Sequence, residues 1–235
     1  MLDYFVVITD ILRFCYNVSN DAKKATIIAT QGVVVKDATA VTLKNAVIVG
    51  SLTIENSSDL TIANVAIQGD DTAIIVDADS FNVMFNFCRA TATNIAVKTD
   101  GNDVSFYQSY ISADKAIVSS GDGLVVQNSR VVAESLGITS SGADCIFRSN
   151  TIAVGSEGVG VELTKGSVNG LVALNVITDA QASVRVSEGY NCAVIMNSAI
   201  KVIAENTTNI YIVDNKLGGR IEATDNNYFI CDGNK

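Results

Sequence analysis

The chain has 235 residues, 48% of them hydrophobic, which is ample for one core, and it contains no apolar run suited to a membrane helix. Its net charge of −9 argues against a nucleic-acid binder and against docking on anionic lipid, since both need a basic surface. Histidine is absent, which removes the commonest general base, any Ser-His or Cys-His pair and any ordinary zinc site. The five cysteines, Cys15, Cys88, Cys145, Cys192 and Cys231, have no C-x-x-C spacing and read as buried free thiols. No cofactor is expected.

The N-terminus, "MLDYFVVITDILRF", lacks the basic start of a signal peptide, and Asp3 and Asp10 interrupt its apolar run. Asp3, Asp10, Arg13 and Asn17 fall on one helical face, which predicts a short amphipathic helix capping the fold. The β-branched stretch "FVVIT" argues for a strand instead. Residues 1–24 are accordingly expected to form a cap segment and 25–235 a single domain.

That domain is a repeat. The runs "AVTLKN", "DLTIAN", "FNVMFN", "DVSFYQ", "GLVVQN", "CIFRSN", "GLVALN", "CAVIMN" and "IYIVDN" are strand-like, and each ends in Asn or, once, Gln. The end positions are Asn45, Asn64, Asn86, Gln108, Asn128, Asn150, Asn175, Asn197 and Asn215, at intervals of about 22 residues. A tenth run, "YFICDG", puts Gly233 in the slot. Second strands follow, with cores such as "LTI" at 52–54, "IIV" at 74–76 and "VRV" at 184–186, separated by Gly, Asp, Ser and Asn clusters. Proline is absent, so the turns must come from residues that tolerate left-handed backbone.

This period, with two or three short strands per repeat, predicts a parallel β-solenoid of about ten coils. One coil cannot bury its apolar side alone, whereas coils stacked about 4.8 Å apart bury a continuous core. Asn suits a left-handed turn, and stacked Asn amides can hydrogen-bond along the axis as a ladder. A leucine-rich repeat is the competing array, but the L-x-x-L-x-L spacing and a helical half are missing.

The Asn-ended runs from about residue 33 to 235 resemble the right-handed single-stranded parallel β-helix of the pectate-lyase-like superfamily, which includes pectate lyases, polygalacturonases and phage tailspikes. The resemblance implies an all-β fold and, often, an N-terminal cap. It carries no function, because solenoids host many. It also implies that alternate residues of each run face outward. Counting from the Asn, the outward set is Phe81, Val83, Phe85, Val172, Leu174, Val194, Met196, Ile210, Ile212, Tyr228 and Ile230. In this frame Asn82 and Arg148 fall on inward slots. Outward apolar residues mean either a covering by other segments of the chain or an oligomer interface. The final coil, lacking a cap in sequence, is a second candidate contact surface.

"GDD" at 69–71 matches part of the polygalacturonase fingerprint, with Asp100 of "KTDG" as a partial partner. Glycoside hydrolysis needs two carboxylates held across the scissile bond. Here the order is reversed, the two sites precede different strands, and the family's Gly-His-Gly and Arg-x-Lys are missing. Asp70 and Asp71 therefore read as turn residues. Asp70, Asp71, Asp77 and Asp79 supply hard oxygens for calcium, but not at an EF-hand spacing. The functional expectation is a non-enzymatic structural β-solenoid of an extracellular, cell-surface or virion assembly, with itself as partner in an oligomer or filament. The alternative is a β-helix that binds or cleaves polysaccharide.

Overall fold

The computed structural model describes Val6–Ile8, Ala25–Ile28 and residues 32–235. Every strand pairing in these residues is parallel, each strand lying on its counterpart one coil away. The result is a right-handed parallel β-helix of about ten coils, with no helix among the described residues. Each coil has three faces. Face A is a ten-stranded sheet running from Thr42–Lys44 to Asn227–Asp232. Face B runs from Ala25–Ile28 to Lys216–Leu217, and face C from Val6–Ile8 to Ile221–Thr224. Faces B and C join through two continuous strands, Tyr110–Ser119 and Arg130–Ser140.

The predicted N-terminal helix is corrected within its described part. Val6–Ile8 is a strand, paired in parallel with Val33–Val35. Three consecutive β-branched residues prefer the pleated surface of the first coil over a helix, where χ1 is restricted. The rest of the proposed cap lies outside the described residues.

The main core is one continuous column, beside which Val159, Ala182 and Ile203 form a small second cluster. On face A the residues Ile62, Phe85, Phe106, Val126, Phe147 and Val172 succeed each other coil by coil, all buried. Phe85 and Phe106 stack with ring centroids 4.6 Å apart and planes 6° from parallel. On face C the inward column is Leu52, Ile74, Val97, Ile117, Ile138, Val161 and Val184. In the strand Ile95–Thr99 it is Val97, not Ile95, that lies opposite Ile74.

The corner between faces A and B is turned by a single residue with positive φ in every coil: Asn45, Asn64, Phe87, Gln108, Asn128, Ser149, Leu174, Met196, Asp214 and Gly233. The next residue points into the core. There Asn150, Asn175, Asn197, Asn215 and Asn234 form an internal amide ladder. Asn175 shows the pattern: its Nδ2 donates to Asn197 Oδ1 at 2.9 Å and to Phe147 O at 2.9 Å, and its Oδ1 accepts from the Asn150 backbone N–H at 2.9 Å. Towards the N-terminus serines replace the amides, with the Cys88 N–H donating to Ser109 Oγ and the Ser109 N–H to Ser129 Oγ.

The Asn-ended runs therefore belong to neighbouring columns. Asn45, Asn64, Gln108 and Asn128 occupy the left-handed turn itself, where Asn tolerates φ > 0. Asn150, Asn175, Asn197 and Asn215 sit one residue later, buried, where the amide satisfies backbone groups. Asn86 sits one residue before the turn. Both ladder columns carry Asn-to-Asn hydrogen bonds, since Asn64 Nδ2 also donates to Asn45 Oδ1 at 2.8 Å.

Candidate functional site

The column slip corrects the outward set. Val83, Phe85, Val172, Val194, Ile210 and Ile212 are each 0% exposed and belong to the core. A one-residue shift of a strand moves its side chains to the other face, and runs ending one residue before or after the turn carry that shift. Phe81, Leu174, Met196, Tyr228 and Ile230 are exposed, Tyr228 by 82%. Asn82 and Arg148, nominally inward, are exposed as well.

An apolar outer column nevertheless exists on face A. Its occupants in coil order are Thr42, Thr61, Met84, Ser105, Val125, Ile146, Leu171, Ala193, Tyr211 and Ile230. The column changes character at Val125. Before it the residues are mostly hydroxyl-bearing, and from Val125 onward they are all apolar or aromatic. Ile146 and Ile230 are 37% and 48% exposed. Ile195 and Val213 continue the apolar surface in the adjacent outward column, where Ala173 is buried, and Leu174 and Met196 extend it to the corner.

A polar border runs along the opposite edge. There a second column of positive-φ residues carries Asp144, Asn169, Asn191 and Asn209. Asn169 Nδ2 donates to Asp144 Oδ1 at 2.9 Å, Asn191 to Asn169 Oδ1 at 2.6 Å and Asn209 to Asn191 Oδ1 at 2.8 Å. An apolar strip beside such a border has the layout of an interface core and rim. The ladder holds these exposed side chains in fixed positions.

The acidic residues do not converge. Asp70 and Asp71 stand just before Thr72–Val76, and Asp100 just after the paired strand Ile95–Thr99. They lie at opposite ends of face C, about 20 Å apart by strand rise. The Asp71 carboxylate accepts from Thr72 Oγ1 at 3.1 Å and Asn94 Nδ2 at 3.2 Å, and Asp100 accepts from Ser120 Oγ. Asp77 caps a turn, accepting from the Asn56 backbone N–H and from Ser80 Oγ. Among the described residues no group of three or more His, Cys, Asp or Glu side chains is placed to hold a metal ion, so the calcium option on Asp70, Asp71, Asp77 and Asp79 is not assembled.

The charged side chains that do meet form pairs on or beside face C, some exposed, as Lys165 with Glu188, and some half-buried, as Arg185 with Glu162 and Lys201 with Glu222. Glu222 is held below the usual carboxylate range by the Lys201 ammonium 2.6 Å away, helped by Arg220. The Cys145 and Cys192 thiols are pushed up by burial, which makes them packing groups rather than nucleophiles. Cys231 is exposed.

No protein-family model matches the chain, and none of the curated proteins does. Solved structures do resemble it. The Dettilon tailspike protein matches with a TM-score of 0.64 at 14% identity over 90% of this chain, which spans 58% of that protein's length. The Streptococcus pneumoniae surface protein and adhesin PfbA matches with a TM-score of 0.56 at 10% identity, covering 88% of this chain and 90% of that one. Identities this low carry the architecture alone. That architecture, with parallel pairing on three faces, an internal Asn ladder and about ten coils, is a right-handed parallel β-helix, the fold that the sequence resemblance implied.

Proposed function

We propose that this chain is a structural, non-enzymatic β-helix of a virion or cell-surface assembly, and that copies of it associate through the outer side of face A. The observation that carries this reading is the outer column from Val125 to Ile230, apolar over six successive coils and flanked by a fixed Asn/Asp rim. A solvated sheet face is ordinarily polar, as the same column is in its first coils. A second copy presents the same column at the same spacing, so side chains can interdigitate along the whole strip. The tailspike and adhesin likenesses support a surface setting. The scattered carboxylates support the non-enzymatic part.

The test is the assembly state by light scattering, for the wild type and for Ile146→Lys with Leu171→Lys. Both sites face outward, so the double variant keeps its fold. A defined oligomer that dissociates in the variant is the expected result. A wild type that stays monomeric at high concentration overturns the proposal.

A further inference from the structure

The two edges of face A carry opposite charge over the same four coils, those whose face A strands are Phe81–Asn86, Asn102–Tyr107, Val125–Gln127 and Ile146–Arg148. Along the A–B edge, segments 84–93, 105–113, 125–133 and 146–154 hold three arginines and no Asp or Glu. Along the C–A edge, segments 77–82, 99–104, 119–124 and 140–145 hold six aspartates and no Lys or Arg. Arg89, Tyr110 and Arg130 follow one another in a single outward column just past the A–B turn, and the Arg89 guanidinium lies 4.8 Å from the Tyr110 ring centroid. Arg148 stands just before the same turn. All three arginines are exposed, and so are Asp79, Asp100, Asp103, Asp122 and Asp144 across the face.

Within one copy these opposite charges do not meet. None of the three arginines and none of the six aspartates joins an ion pair among the described residues, whereas Arg185 pairs with Glu162 and Arg220 with Glu222. A six-residue strand such as Asn102–Tyr107 sets the two edges about 20 Å apart. That exceeds the screening length of about 8 Å in physiological salt. The charges are nevertheless level with one another. Asp79 and Arg89 flank one coil, Asp122 and Arg130 another, and Asp144 and Arg148 a third. The next two coils lack this asymmetry, since segments 171–178 and 193–200 of their A–B edge hold no charged residue.

We propose that copies of this chain associate in parallel, with the arginine edge of one copy seated against the aspartate edge of the next at the same coil level. This rests on the reading that copies meet through face A, and it adds their direction. A rotation about an axis along the solenoid brings the A–B edge of one copy beside the C–A edge of its neighbour and keeps the coils level. A rotation about an axis across the solenoid sets each edge against its own kind, and the aspartates then face no arginine. Charge therefore selects the parallel arrangement. The guanidinium fork takes a carboxylate in two parallel hydrogen bonds. An arginine also reaches further than the serine or threonine side chains between the edges. The edges can thus meet while Thr61 and Ser105, in the early half of face A, stay solvated. A foreign acidic partner would use the arginines alone, whereas a second copy uses both edges and their common level.

The experiment is sedimentation equilibrium of the whole chain, for the wild type and three variants. One reverses the basic edge, Arg89→Asp with Arg130→Asp. One reverses part of the acidic edge, Asp79→Arg with Asp103→Arg. The third carries all four changes. Every altered side chain is exposed, and circular dichroism verifies the folds. Each single-edge reversal is expected to weaken association about tenfold or more, and the fourfold exchange to associate more tightly than either. Wild-type association that ignores both reversals, or an exchange no tighter than the single-edge variants, overturns the proposal and leaves association through face A standing. A wild type that stays monomeric overturns both. Direction is read separately with a short bis-maleimide, on copies carrying Gln127→Cys and copies carrying Ala143→Cys, each in a Cys231→Ser background. Gln127 lies at the A–B edge and Ala143 at the C–A edge. Cross-linked dimers are expected when the two are mixed and not when they are kept apart. Cross-linking of either one alone to the level of the mixture overturns the parallel arrangement.

Discussion

The early and late coils solve the same corner in two ways. At the inner slot after the A–B turn, Ser109 and Ser129 pass hydrogen bonds through hydroxyls, whereas Asn150, Asn175, Asn197, Asn215 and Asn234 pass them through amides. A serine hydroxyl accepts from one backbone N–H and donates to one carbonyl, as Ser109 does to Tyr107 O at 2.9 Å. An asparagine adds a direct link to the next amide and reaches a carbonyl in the coil before it. The late coils are therefore cross-linked through side chains as well as backbone. The outer surface changes over the same stretch, from hydroxyls at Thr42, Thr61 and Ser105 to apolar side chains from Val125 onward. The half with the stiffer interior is the half with the apolar exterior, and a rigid face suits association.

The most damaging change should lie where the coils touch without side chains. A Cβ on Gly121 would overlap the Gly101 carbonyl oxygen, and one on Gly142 would overlap that of Gly121. The obstruction is backbone in both cases and cannot rotate away. Gly121→Ala should cost about 4 kcal/mol or more, read from denaturant midpoints. An effect near 1 kcal/mol would mean the coils can separate there.

The two corner devices can be compared directly. Asn175→Ala removes the acceptor of the Asn150 N–H and the donor to Phe147 O, both buried, and should cost about 3 kcal/mol. Ser109→Ala removes one acceptor and one donor with fewer partners and should cost about 1–2 kcal/mol. Equal losses would break the distinction between the halves. On the turn itself, Asn128→Gly should be close to neutral and Asn128→Ala should cost about 1–2 kcal/mol, because only the second meets the left-handed penalty.

The smallest effect is alkaline. Burial raises the folded-state pKa of Cys145 and Cys192, so the folded chain keeps thiol protons that the unfolded chain releases above pH about 8.5. Stability is full below that value and declines as pH rises through it. Cys145→Ala should flatten the alkaline limb of a stability-against-pH curve while lowering the plateau. A thiol reagent should modify Cys231 in the native protein and spare Cys88, Cys145 and Cys192.

The coil count, the strand type and the presence of an Asn ladder were legible because each leaves a periodic trace. The frame was not. Asn is favoured at the exposed turn for its backbone and at the next, buried slot for its amide, so a sequence aligned on Asn merges the two. Asn128 and Asn150 look equivalent in sequence and differ by one slot in space. That single step turned Val172 and Val194 from apparent surface into core. The strip on face A was hidden for the same reason, although Leu174 and Met196 at its edge were visible. The separation of Asp70 and Asp71 from Asp100 was readable, because strand order alone sets them at opposite ends of a face. The arginine–tyrosine corner leaves no linear motif. Arg89, Tyr110 and Arg130 are about 20 residues apart and meet only when the coils stack.

The central claim is that the late half of face A, and not the early half, meets a second copy. Two single cysteines in a Cys231→Ser background test it most directly. Ala193→Cys lies in the apolar stretch of the outer column, and Ser105→Cys lies in its polar stretch. Under mild oxidation the account predicts a disulfide-linked dimer from Ala193→Cys and none above the parent background from Ser105→Cys. Equal cross-linking at both positions, or none at Ala193→Cys, would contradict it.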